Sequence, residues 1–213
     1  MTRCLFKLSQ YHDARKSAEE AIKIYPEDKC LREDYLNTLV ALDDYAKCID
    51  VAMQGLLIDP YCSEWKFFMA EGYELLDQYD EAENIYKRLL DNAPWDGLLH
   101  EKIARCLCGK GLINDAIPIL RRGMQVAPEH SGCYYELANA YTALDQQGKA
   151  LKVARKAFKL FSATEGCAYA TLGAALYNSD DDEKAMEVLK EGLLLYPDED
   201  TILELIDDIE DEF

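Results

Sequence analysis

Histidine, cysteine and clustered carboxylates are the side chains with which a chain of this kind would do chemistry. Their spacing here supports none of the familiar arrangements. His12, His100 and His130 lie far apart, and none has a carboxylate or cysteine at a recognised catalytic spacing. No glycine-rich phosphate loop is present. Asp180, Asp181, Asp182 and Glu183 form an acidic run whose spacing is wrong for an EF-hand calcium loop. It reads as a turn whose carboxylates favour the N-terminus of the next helix. The eight cysteines include no C-x-x-C and no Cys/His spacing suited to zinc. Cys106 and Cys108, two apart, would point to opposite sides of a helix, about 200° around its axis. The expectation is no catalytic residue, no metal and no cofactor, with reduced and mostly structural thiols. A redox-sensing group of exposed thiols is the alternative.

Recognition by surface is the remaining chemistry, and charge bounds it. The formal charge of −18 is unevenly spread. Residues 1–97 carry 11 Lys and Arg against 20 Asp and Glu; residues 98–160 carry 10 against 5; residues 161–213 carry 2 against 16. A basic middle therefore lies between two acidic ends. The overall sign disfavours nucleic acid and anionic membranes, which need a broad positive surface. Within the middle, Lys149, Lys152, Lys156 and Lys159 follow helical spacing, with Arg155 beside them and Arg121 and Arg122 one repeat earlier. This stripe is either solvated or a docking face for an acidic partner, including the acidic end of a second copy. No apolar run approaches the roughly 18 residues of a membrane span, and the start lacks the apolar stretch of a secretory signal. The cytoplasm is the expected location.

The elements that position these residues are announced by proline. Pro26, Pro60, Pro94 and Pro128 stand 34 residues apart; the next step falls on Ser162, and Pro197 follows one residue late. Twelve residues before each site stands Ala14, Cys48, Ala82, Ala116, Ala150 or Ala185. Five before it stands Ala21, Gly55, Leu89, Gly123, Ala157 or Gly192. Small side chains at such spacing let two antiparallel helices cross closely, and proline ends the second because it has no amide to donate. Pro118 interrupts a predicted helix and is expected in its first turn, where the missing amide would have no partner. The extra residue before Pro197 fits in the loop Ser162–Gly166, which is expected to loosen the joint there.

Residues 65–94, WKFFMAEGYELLDQYDEAENIYKRLLDNAP, closely resemble the consensus of the tetratricopeptide repeat family, and the 34-residue period is that of its helix–turn–helix unit. The resemblance implies an all-α, right-handed superhelical solenoid of antiparallel helix pairs. It divides the chain into a partial repeat at 1–28, full repeats at 29–62, 63–96, 97–130, 131–165 and 166–198, and an acidic capping helix at 199–213. Met1 falls inside the first helix of the partial repeat, which exposes Leu5, Phe6 and Leu8. Either the chain is a piece of a longer protein, the favoured reading, or this end seeks a partner or a second copy.

In relatives of this kind the first helix of each repeat lines the concave surface and contacts an extended peptide or helix. Carried onto this chain, the lining residues are Asn37, Phe67, Phe68, Glu71, Lys102, Arg105, Tyr135, Asn139 and Thr171. Phe67 and Phe68 are candidate anchors, unless one of them packs into the neighbouring repeat. Lys102 and Arg105 either grip a carboxylate or pair with Glu101, Glu71 and Glu136. The Lys/Asn/Lys/Arg clamp with which co-chaperone members hold a chaperone's terminal carboxylate is matched by no set of corresponding positions. The resemblance thus implies a non-catalytic scaffold or adaptor for a protein or peptide partner of unknown identity. The alternative is a self-assembling array, a homo-oligomer joined through its incomplete first repeat and oppositely charged ends.

Overall fold

The computed structural model describes residues 10–211, and all regular structure among them is helical. Two compact units divide at Ala93/Pro94. The first holds α1 (Tyr11–Ile24), α2 (Lys29–Val40), α3 (Tyr45–Ile58), α4 (Ser63–Leu75) and α5 (Tyr79–Asn92). The second holds α6 (Gly97–Gly109), α7 (Ile113–Val126), α8 (Gly132–Ala143), α9 (Gln147–Phe161), α10 (Cys167–Tyr177), α11 (Asp182–Leu195) and α12 (Asp200–Asp211). Within each unit, successive helices pair as hairpins and the hairpins stack on one another. The half-repeat residues Leu5, Phe6 and Leu8 lie outside the described residues.

Small side chains set the spacing of the hairpins. The column of Ala14, Cys48, Ala82, Ala116, Ala150 and Ala185 is fully buried. The second column does a different job: it seats the next hairpin. A Cβ on Gly123 would come within 2.4 Å of Cys133 Sγ on α8 and 2.9 Å of His100 Cβ on α6. At Gly55 the same two directions meet Trp65 and Arg32. Helix α7 can therefore lie against both its own partner and the next first helix only if position 123 carries no side chain. The residues at the next seam position recur in register: Trp65, Leu99, Cys133, Ala168 and Ile202 are all buried. Ile202 places α12 in the position of a first helix, packed on α10 and α11, with Asp200, Glu204, Asp207 and Asp208 on its exposed side.

Turn geometry repeats as strictly as packing. The turn between the two helices of each hairpin holds one residue at positive φ: Asp43, Asp77, Gly111, Asp145 and Asp180, at φ values of 55° to 75°. Asp and Gly tolerate this left-handed conformation better than other residues. Tyr79 Oη donates to Asp77 at 2.6 Å, and Tyr45 makes the same contact with Asp43. The second helices end before the proline sites, at Ile24, Ile58, Asn92, Val126 and Leu195. Where Ser162 replaces proline, α9 runs 15 residues against 14 for every other second helix, and this absorbs the slip.

Two local expectations need correction. Pro118 is not in the first turn of α7 but its sixth residue, so the Asn114 carbonyl goes without the amide four residues on. Asn114 and Pro118 are both exposed, which leaves that carbonyl open to solvent. Nor is the joint at Ser162–Gly166 loose. Tyr196 Oη donates to the Ser162 carbonyl at 2.9 Å, Tyr135 Oη donates to Glu165 at 2.9 Å, and α9 packs directly on α10. A buried cation was also unforeseen. The Arg32 guanidinium donates to the carbonyls of Val51 at 3.0 Å and Pro26 at 2.9 Å, and lies 5.3 Å from the Trp65 ring.

The seating role of Gly123 is testable by adding one methyl group. Gly123→Ala should destabilise the chain by about 1–3 kcal/mol through overpacking. Gly148→Ala, where a Cβ meets nothing within 4 Å, should be neutral or stabilise by up to ~1 kcal/mol. Urea unfolding followed by circular dichroism compares the two.

Candidate interaction surfaces

Because hairpins stack in register, the first helices of each unit lie side by side: α2 with α4 in the first unit, and α6, α8 and α10 in the second. The wall residues named from sequence fall on these helices, but the structure treats them differently. In the first unit, Asn37 is exposed and its Nδ2 donates to the Glu33 carbonyl at 2.9 Å. Phe67 is half-buried edge-on against Tyr86, with centroids 5.6 Å apart. Phe68 packs against the buried cluster around Leu36, Cys48 and Trp65. Both phenylalanines thus belong partly to the core of their own unit. Glu71 is half-buried beside them.

In the second unit, Lys102 is only 8% exposed, so it is a seam residue more than a projecting cation. Arg105 remains half-exposed, 4.0 Å from Glu101 along the same helix. Glu101 in turn meets His130 at 2.6 Å. Its carboxylate lies so close to Gly132 that a Cβ there would fall 1.9 Å from Oε2. Tyr135 is committed to the next loop through Glu165, and burial with that bond holds its phenol above the ordinary range. Asn139 is exposed and makes no hydrogen bond with its side chain among the described residues. Thr171 is half-exposed on α10. Counting by repeats, Arg105 and Asn139 occupy the same position on successive first helices, 34 residues apart. They form the accessible part of this wall.

The opposite side of the second unit carries the cationic stripe. Lys149 Nζ lies 5.5 Å and Arg121 5.9 Å from the Tyr141 ring centroid, and Lys156 Nζ lies 5.2 Å from that of Tyr134. Lys152 is exposed between them, and Lys159 is exposed at the far end of α9. The sequence placed the four lysines on one stripe; what it did not show is that tyrosines of α8 hold two of them.

No group of three or more metal-ligating side chains gathers among the described residues. The seven cysteines among the described residues are free thiols. Burial pushes Cys48 and Cys133 up to about 12, with Glu71 and Glu101 respectively adding to the shift. No helix among the described residues is long and apolar enough to cross a membrane.

This fold is that of the tetratricopeptide repeat proteins. Residues 131–164 match the family model of the tetratricopeptide repeat, and the hairpins on either side share the architecture of that repeat. No curated protein matches the sequence. Solved structures do. A tetratricopeptide repeat protein from Parabacteroides merdae is 16% identical with a TM-score of 0.80, covering 98% of this chain and 81% of that one. TTC0263 of Thermus thermophilus is 17% identical with a TM-score of 0.70, covering 84% and 96%. YrrB, described as having an unusual peptide-binding site, is 16% identical with a TM-score of 0.55, covering 91% and 99%.

Thiol burial gives a direct check on the packing. At pH 8 a disulfide reagent should label exposed Cys30 within minutes. Cys48 and Cys133, buried and protonated, should react only as the chain unfolds. Peptide mapping of native and denatured samples distinguishes them; rapid native labelling of either buried thiol would contradict the packing.

Proposed function

We propose that the protein is a non-catalytic scaffold that holds an extended segment of a protein partner against the first-helix wall of its second unit. The tetratricopeptide fold supports a protein-interaction role in general. The observation that carries the finer reading is Asn139. Its exposed amide offers a donor and an acceptor at once, the pair a peptide backbone needs, and neither is used among the described residues. Arg105 stands one repeat before it, and Thr171 lies on the following first helix, so polar groups continue to either side. The first-unit set of Asn37, Phe67, Phe68 and Glu71 is a separate surface in this reading. There the phenylalanines serve mainly to pack, and Asn37 is partly spent on its own helix.

A peptide library selected on the immobilised chain tests the assignment without knowledge of the natural partner. Selected peptides should bind Asn139→Ala about tenfold more weakly, since losing one well-used hydrogen-bonding side chain costs about 1–1.5 kcal/mol. Adding Arg105→Glu should weaken acidic peptides further. Both positions are accessible, so the variants should melt like the parent. Undiminished binding by the double variant would remove this wall as the binding site.

A further inference from the structure

Helices α7 and α9 carry seven Lys and Arg, and none makes an ion pair with a carboxylate among the described residues. Elsewhere the same chain pairs its cations readily, as in Arg15 with Glu19 and Asp44, Lys29 with Asp59, and Lys87 with Glu83. The unpaired set is also not randomly placed. Arg121, Lys149, Lys152 and Lys156 rim a cleft of about 390 Å³ whose floor is apolar, formed by Met124, Leu137 and Val153. Ring faces hold three of these four side chains over the cleft. Arg121 is also fixed by a 2.6 Å bond to Tyr141 Oη. Cation–π contact is a weaker offset than a carboxylate for cations crowded on one rim. The cleft therefore presents an apolar hollow inside a ring of uncompensated positive charge.

The complementary shape and charge occur on the chain itself. Leu194 on α11 is 85% exposed and Leu195 is 59% exposed, which is unusual for leucines near a packed helix end. Around them stand Glu187, about two turns before Leu194, and Asp198, in the turn that follows; both are exposed. The segment 161–213 that contains them carries only two cations against sixteen carboxylates. One surface is a hollow ringed by cations, the other an apolar knob flanked by carboxylates.

We propose that the cleft between α7 and α9 receives the α11–α12 end of a second copy, with Leu194 over its floor and Glu187 and Asp198 against its rim. The contact joins two different patches, so it is heterologous and either closes into a ring or continues as a filament. It does not depend on the peptide-binding wall, which lies on the first helices. Docking of this kind weakens as salt screens the charges.

Light scattering after size-exclusion chromatography, at about 50 mM and about 500 mM salt, tests this. The parent chain should associate at low salt and become monomeric at high salt. Lys152→Glu with Lys156→Glu should weaken association at least roughly tenfold, and so should Glu187→Lys with Asp198→Lys, since close opposite charges carry such contacts. Each of these variants keeps one patch intact. An equimolar mixture should therefore recover a heteromeric complex that neither forms alone, an outcome that misfolding would not give. Three results would overturn the proposal: a monomer at every salt concentration, variants that associate like the parent, or a monomer that instead takes up an acidic peptide at this cleft.

Discussion

The structure depends on how closely two helices can approach at a few positions. An alanine or cysteine at the fourth residue of each second helix lets the hairpin close, and all six members of that column are fully buried. Seven residues later stands a glycine or alanine in every second helix but α5, which has Leu89, and at Gly55 and Gly123 the missing side chain lets the next hairpin settle on top. Burial of the large residues follows from that approach. Trp65, Leu99, Cys133 and Ile202 fill the space that the small ones open. One hairpin has nothing to cover its outer face, so stability has to come from neighbours. The period is thus a requirement of packing, repeated because each interface is made like the last.

Much of this was legible because packing and turn chemistry leave single-residue marks at fixed intervals. The prolines, the Ala/Cys column and the Gly/Ala column each gave the register independently, and helix ends fall where they indicate. The left-handed column of Asp43, Asp77, Gly111, Asp145 and Asp180 carries the same period. It would also have located the slip, since its last interval is 35 residues rather than 34. Pro118 was misplaced because counting from a turn leaves the start of a helix uncertain by a few residues. The joint after α9 was misjudged because its ties, Tyr196 to Ser162 and Tyr135 to Glu165, span 34 and 30 residues. Local composition does not encode such bonds.

The surfaces were less legible, for a reason that lies in the helix itself. Register says which face of a helix a residue occupies but not how far a long side chain reaches or what covers it. Lys102 and Arg105, three apart on α6, were indistinguishable in sequence; one is buried and the other half-exposed. Phe67 and Phe68 had two open readings from sequence, and their contacts with Tyr86 and with the cluster around Trp65 could not be read there. Arg32 is the extreme case, a buried cation bonded to two carbonyls and set against an indole ring. The distinctive feature of the lysine stripe lies on another helix, in Tyr134 and Tyr141.

The second unit therefore shows two faces of contrasting chemistry, a polar wall on its first helices and a cation-ringed cleft on its second helices. Both exist only if the hairpins close and stack in the register described. Hydrogen exchange followed by mass spectrometry measures that register most directly. The account predicts slow exchange within the paired helices, interrupted by fast exchange at residues 110–112, 127–131, 144–146, 162–166, 178–181 and 196–199, between the helices of the second unit. Continuous protection through those turns, or fast exchange throughout α7 and α9, would contradict it.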